Sequence, residues 1–359
     1  MARVLVTGVG GVGGASTARW FRDRTGHTPV GVDMDPRARG FLDLAEWTTV
    51  PPAADDDWPG TVASVVARRD VDVVVPLVDE ELTRHSDLRA ALPSAVPIVA
   101  PTVSTIERTL DKRRFARWID GTDLPAPRTV CPTSSTDLSA LDVAYPAVVK
   151  PRLGHGSRGV SRVASLDDLR TSLAYHDFDP ADVVVQEAIE GREFTTSVVA
   201  TTGGDCLSIV TKEAVEKDGN TTWGVTRSND AVASACRDLH DRLDPRGPIN
   251  VQQLVDARTG EAYIVEVNPR FSSTAILTAR AGVDELDLLV RDALDESISP
   301  PPSPRPGVHL IRTNRDHLVQ EECTTPSEST GWVANSDATP ADLVDGGRRA
   351  PSSSDADTA

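Results

Sequence analysis

Along residues 3–100, short apolar runs alternate with segments whose apolar positions recur at a spacing near 3.6. "RVLVTG", "PVGVD", "VDVVVPL" (71–77) and "VPIVA" (96–100) are expected as strands. "ASTARWFRDR", "TVASVVARR" and "EELTRHSDLRAAL" are expected as the helices between them. Strands rich in Val on both faces, alternating with helices, predict a parallel, doubly wound α/β sheet over residues 1–100. "STIERTLDKRRFARWI" predicts one connecting helix with Ser104 as its N-cap, inside a segment spanning 101–128.

From residue 146 the pattern becomes α+β. "PAVVKP" reads as a strand, followed by the glycine loop "RLGHGSRGV", the helix "SLDDLRTSLAYH" and the strand "DVVVQEAI". "EFTTSVVAT" and "CLSIVTKEAV" form a hairpin around "TGGD", and "INVQQLVDARTGEAYIVEVNPRF" a second around "ARTG". "AVASACRDLHDRL", "TAILTARAG" and "ELDLLVRDAL" read as helices. "SPPPSPRPG" then ends regular structure, and 299–359 reads as a Pro-rich linker and a disordered tail. The segment boundaries fall at 129–194 and 195–298.

Charge narrows the classes. The 359 residues hold 37 basic and 54 acidic side chains, a formal charge of -17. Phosphate backbones and anionic membrane surfaces repel such a surface, so neither nucleic acid nor a membrane is an expected partner. Cys131, Cys206, Cys236 and Cys323 show no C-x-x-C spacing, which fits a reducing compartment. "MARVLVTG" enters a strand directly, and no apolar run approaches the ~18 residues of a membrane span. A cytoplasmic location is the expectation.

Chemistry concentrates in three places. In the alternating strand "AYIVEVNPRF", Glu266 and Asn268 point to one face and Arg270 follows two residues on. A carboxylate, an amide oxygen and a guanidinium side by side suit Mg²⁺ bridging a polyphosphate. Asn250 and Gln252 share a face of the partner strand, and Gln252 can add a neutral oxygen. Lys150 ends "AVVK" before Gly154, Gly156, Ser157, Arg158 and Gly159, a loop whose amides can approach phosphates. G-x-x-x-x-G-K-[ST] is absent. His155 in this loop reads as an exposed histidine more readily than as a base. In "VVVQEAIEGREF", the Glu187–Ala188–Ile189 backbone and the Glu187 and Glu193 carboxylates suit adenine and ribose.

In order, "DKRRF" with Lys112, "VVKP", the glycine loop, "QEAIEGREF", "NVQ" and "EVNPR" resemble the ATP-grasp superfamily. Within it they resemble a single synthetase unit of the carbamoyl-phosphate synthetase large subunit, over residues 3–295. The resemblance implies a Rossmann-like pre-ATP-grasp domain followed by a two-lobed ATP-grasp fold, with ATP and Mg²⁺ as cofactors. It implies Lys112 and Lys150 on ATP, Gln252, Glu266 and Asn268 as metal ligands, and Arg270 at the transferred phosphate. It further implies a ligase that activates a small carboxylate as an acyl phosphate for attack by an amine or similar nucleophile, or a carbamoyl-phosphate-type synthetase acting on bicarbonate. A homodimer is compatible with it. The chain carries one unit, no glutaminase module, and no match to the family's substrate segment between 211 and 230.

A competing reading starts at "VLVTGVGGVGGAS". Gly8, Gly10 and Gly13 fit G-x-G-x-x-G, and Asp33 follows about twenty residues on, the fingerprint of an NAD-dependent oxidoreductase. The same glycines serve a tight strand-to-helix turn without any ligand.

Overall fold

In the computed structural model of the chain, residues 1–154, 156–313, 316 and 317 are described. His155, Cys323 and the expected disordered tail beyond 320 lie outside them.

The N-terminal segment runs β1 (Arg3–Thr7), α1 (Val12–Arg24), β2 (Thr28–Asp33), β3 (Trp47–Thr49), α2 (Trp58–Arg68), β4 (Val73–Val75), α3 (Asp79–Thr83) and α4 (His85–Ala91). The sheet order is β3-β2-β1-β4, all parallel. Strand alternation sorts the valines. Val4, Val6, Val73 and Val75 pack with Ala18 and Phe21 of α1. Leu5, Val30, Val32 and Val74 pack with Trp58, Val62 and Val66 of α2 and Leu88 of α4. The expected strand at 96–100 is reduced to one parallel bridge, Val74 to Ile98. The fourth strand is β3 instead, a three-residue edge whose Trp47 stacks on Phe41 at 4.4 Å. The expected helix over 80–92 breaks at Arg84 into α3 and α4.

The connecting helix also divides, into α5 (Val103–Leu110) and α6 (Lys112–Asp120). Asp111 is the cause. Its backbone is extended, and its carboxylate accepts the Arg113 amide at 3.0 Å and a forked pair from Arg152 at 2.6–2.9 Å. The α5 cap is Thr102, whose Oγ1 accepts from the Thr105 amide, and not Ser104.

A small lobe follows: β5 (Thr129–Val130), β6 (Ala147–Pro151), β7 (Ser161–Val163), α7 (Leu166–His176) and β8 (Val183–Glu187), an antiparallel sheet in the order β5-β8-β6-β7 with its own core. The large sheet comprises β9 (Gly191–Ala200), β10 (Cys206–Val210), β11 (Lys212–Asp218), β12 (Asn220–Thr226), β13 (Ile249–Asp256) and β14 (Ala262–Asn268), with α8 (Asp230–Leu243), α9 (Ala275–Arg280) and α10 (Glu285–Ala293). β9 runs across the expected 194/195 boundary, pairing with β13 from Gly191 to Val198 and with β10 to Ala200, so it belongs wholly to this sheet. "CLSIVTKEAV" breaks at Thr211 into β10 and β11. Past the Pro-rich stretch the chain is not merely a linker: β15 (His309–Ile311) pairs antiparallel with β12 and closes the sheet's edge.

The α1 face of the parallel sheet shares one core with Phe271, Ala275, Leu286 and Val290, and with Val199 and Val210 of the large sheet. This packing brings the β1–α1 glycine turn against the end of β14.

Candidate active site

β13 and β14 pair in register so that Asn250 faces Asn268 and Gln252 faces Glu266. Alternation then puts all four polar side chains along one cavity, of about 330 Å³, between the small lobe and the large sheet. β6 brings Lys150 and β8 brings Glu187 to the opposite wall, while the head of α6 brings Lys112. Val148, Ile189, Leu254 and Val265 supply apolar surface.

Lys112 Nζ donates to the Gly154 carbonyl at 2.9 Å and lies 3.5 Å from Glu266 Oε1, tying the glycine loop to the carboxylate. Lys150 Nζ donates to Gln186 Oε1 at 2.6 Å. Its burial pulls its pKa down to about 8, with the Glu266 carboxylate pulling the other way and Lys112 adding to the fall. Gly154, Gly156, Ser157 and Gly159 all have positive φ (115°, 67°, 59°, 68°), so the loop depends on left-handed backbone. Gly154, Gly156, Ser157 and Arg158 line the cavity. Gly159 does not. A Cβ there would meet Phe178 and Pro151 at 2.9 Å, so this glycine lets the loop pack closely on both.

At the other end, the Glu187 amide is already bonded to the Arg128 carbonyl (2.8 Å) and the Ala188 amide to the Pro146 carbonyl (3.1 Å). The Ile189 amide has no acceptor among the described residues. Glu193 lines the cavity but is paired with Lys217 Nζ at 2.6 Å. Lys217 comes from β11, in the 211–230 segment where no motif was legible.

Arg270 is held by Asp79 of α3, Nε to Oδ1 at 2.6 Å and Nη2 to Oδ2 at 3.4 Å. Burial opposes its charge, and Asp79 more than compensates, so its pKa stands above the usual arginine value. Nη2 also reaches Asn268 Oδ1 at 3.4 Å.

The expected cation ligands are oxygens of three side chains on two adjacent strands, with one carboxylate among them. No group of three or more His, Cys, Asp or Glu able to hold a metal occurs among the described residues. A single-carboxylate, amide-rich set is too weak for a cation alone and fits Mg²⁺ that shares phosphate oxygens.

In the G-x-G-x-x-G turn, Asp33 Oδ2 accepts the Gly10 amide at 2.6 Å and Oδ1 accepts the Asp35 amide at 2.9 Å, so the carboxylate braces the turn. A Cβ on Gly13 would meet Ser273 Cα at 3.2 Å: the third glycine lets the loop after β14 lie against α1.

Residues 109–274 match the family model of an ATP-grasp domain. The chain carries that domain, and it resembles a synthetase unit of the carbamoyl phosphate synthase large chain. It is 23% identical over 266 residues to that large chain from Methanobrevibacter smithii, covering 67% of this chain and 24% of the relative. It thus spans about a quarter of that relative's length. A carbamoyl-phosphate synthase of the same organism is 25% identical over 271 residues, covering 70% of this chain and 71% of the relative. Among solved structures, the biotin carboxylase domain of Hydrogenobacter thermophilus 2-oxoglutarate carboxylase, complexed with MgADP, ADP and bicarbonate, superposes with a TM-score of 0.65 at 14% identity (83% of this chain, 70% of that one). The N5-carboxyaminoimidazole synthetase of Staphylococcus aureus with ADP gives 0.66 at 15% identity (83% and 78%). These likenesses show the ATP-grasp fold. No described helix is long and apolar enough to cross a membrane.

Proposed function

We propose that the chain is an ATP-dependent ligase, with the parallel sheet as its pre-ATP-grasp domain, that activates a small carboxylate as an acyl phosphate. The observation that carries this is the convergence on one cavity of Lys112, Lys150 and the glycine loop with the paired Gln252–Glu266 and Asn250–Asn268 strand positions. Adenine lies along Glu187–Ile189, with the Ile189 amide as the donor left to it. Glu187 and Glu193 face the ribose.

Glu266, Asn268 and Gln252 would hold Mg²⁺, which would supply charge neutralisation to the bound polyphosphate. Lys150 and Arg270 stabilise the charge that spreads over the moving phosphoryl group. The substrate carboxylate oxygen bonds to the γ-phosphorus as the bond to ADP breaks. The amine nitrogen then bonds to the acyl carbon, inorganic phosphate leaves, and the nitrogen gives up a proton.

The test supplies ATP and Mg²⁺ with a panel of carboxylates, bicarbonate included, each with a panel of amines, and measures ADP release. At least one pair raises ADP above background, and Glu266→Gln lowers that rate at least ~100-fold while the protein stays folded. ATP binding without turnover on any pair, or turnover unchanged in Glu266→Gln, contradicts the reading. A parallel titration finds binding of ATP and not of NADH, which separates the ligase from the oxidoreductase reading.

A further inference from the structure

Asp79 opens α3 in the parallel-sheet segment, outside the residues 109–274 that match the ATP-grasp family. It is nonetheless the ion-pair partner of Arg270, which lines the cavity. Nε stands 2.6 Å from Oδ1, and the arginine and aspartate side chains are only 16% and 12% exposed. With so little water around it the attraction is weakly screened, and a guanidinium keeps its charge whatever its partner.

The sequence on either side of Asp79 fixes where it stands. Gly8, the first glycine of G-x-G-x-x-G, has a φ of 62°, and a Cβ on it would collide with Val78 Cγ2, so this glycine lets the chain just before α3 lie on the β1–α1 turn. Thr7 Oγ1 accepts the Leu77 amide at 3.1 Å and donates to Glu81 Oε2. Residues 77–81 are thereby pinned to the end of β1 on both sides of Asp79.

Arg270 has other oxygens within reach. Nη2 lies 3.4 Å from Asn268 Oδ1, and Nη1 lies 3.3 Å from the Phe271 carbonyl. Burial opposes the guanidinium charge, Asp79 favours it most, and Glu266 follows. Glu266 already has Lys112 Nζ at 3.5 Å. A guanidinium released from Asp79 would turn to Asn268 and Glu266, and a second cation on those oxygens would compete with a metal ion for them.

Resting on the ligase reading, we propose that Asp79 is a positioning residue: it holds the Arg270 guanidinium off Glu266 and Asn268 and so keeps both oxygens for Mg²⁺. The glycine turn then serves the cavity as the support beneath Asp79.

Calorimetric titrations with ADP, in EDTA and over a series of MgCl₂ concentrations, test this. They give the Mg²⁺ concentration at which the gain in ADP affinity is half complete. The proteins are the wild type, Asp79→Asn, Asp79→Glu, Arg270→Gln and the two double variants, with circular dichroism to check folding. Asp79→Asn, close in shape but uncharged, raises the Mg²⁺ requirement at least ~5-fold, while ADP affinity in EDTA stays within about twofold of the wild type. Asp79→Glu keeps a buried counter-charge and covers the case in which Asp79→Asn does not fold. Its longer arm displaces the guanidinium toward Asn268 and raises the requirement at least ~3-fold. In the Arg270→Gln background no guanidinium remains to move, and either Asp79 substitution changes the requirement by less than about twofold. An Asp79 that served the fold alone would act alike in both backgrounds. The proposal is overturned if no folded Asp79 variant raises the requirement by these margins, or if the rise persists with Arg270→Gln. Wild-type ADP affinity that Mg²⁺ does not enhance strikes the ligase reading itself, before any variant is compared.

Discussion

Lys150 is the residue on which the site's charge state turns. Its pKa of about 8 means that the free protein loses this cation just above neutrality. A triphosphate favours the charged form, so nucleotide binding at pH 8.5–9 takes up a proton, and affinity falls as pH rises through about 8. Calorimetry of MgADP binding in two buffers of different ionisation heat reads this uptake. Lys150→Gln is expected to abolish it and to weaken binding at least ~10-fold; no net proton exchange in the wild type contradicts the assignment. The sign for folding is separate. The folded state holds fewer protons than the unfolded chain between about 8 and the ordinary lysine value, so this group makes stability rise with pH there. Lys212, buried among Ser197, Thr278 and Glu285, also has a pKa lowered to about 8 and acts in the same direction. At this scale the meeting of Glu266, Asn268, Gln252 and Lys150 at one cavity was legible, because strand parity and a strand-end lysine are local signals. The partners Asp79 and Lys217 were not. Asp79 meets Arg270 across 191 residues of sequence, a juxtaposition that only packing creates.

At the scale of elements, helix length was the least legible feature. A 3.6 spacing runs unbroken through Asp111 and Arg84, yet both end helices. Asp111 does so because its carboxylate serves the following turn and Arg152 better than its backbone serves the preceding one. Strand β3 lacked a signal because a three-residue edge shows no period. The contact between β1 and α3 yields a prediction. Glu81 is buried against Thr7, with Oε2 accepting the threonine hydroxyl, and burial pushes its pKa up to about 8, with Asp33 and Glu80 adding to the rise. The folded state therefore keeps a proton that the unfolded chain gives up near pH 4.5. The protonated carboxyl stabilises fully below that pH, and the contribution is lost as pH rises to about 8, by about 1.4 kcal/mol for every pH unit of that window. Urea denaturation between pH 5 and 8.5 is expected to show this decline in the wild type and a flatter profile in Glu81→Gln. Parallel slopes in the two proteins contradict it.

At the scale of the whole molecule, the order of segments was legible and their assembly was not. Patterning announced a parallel sheet, then antiparallel pairs, then a Pro-rich break. It did not show that β9 crosses into the large sheet, or that β15 returns after the prolines to pair with β12, because strand partners are chosen by non-local packing. Nor did the G-x-G-x-x-G pattern reveal that its turn is bonded to Asp33 and lies against Ser273. The central claim is that Mg²⁺ and a nucleoside triphosphate are gripped in the cleft between the small lobe and the large sheet. A crystal structure of the chain with Mg²⁺ and a non-hydrolysable ATP analogue tests it most directly. The account predicts a metal ion on Glu266 and Asn268 that bridges the phosphates, with adenine against Ile189. Nucleotide on the β1–α1 glycine turn, with the cleft empty, contradicts it.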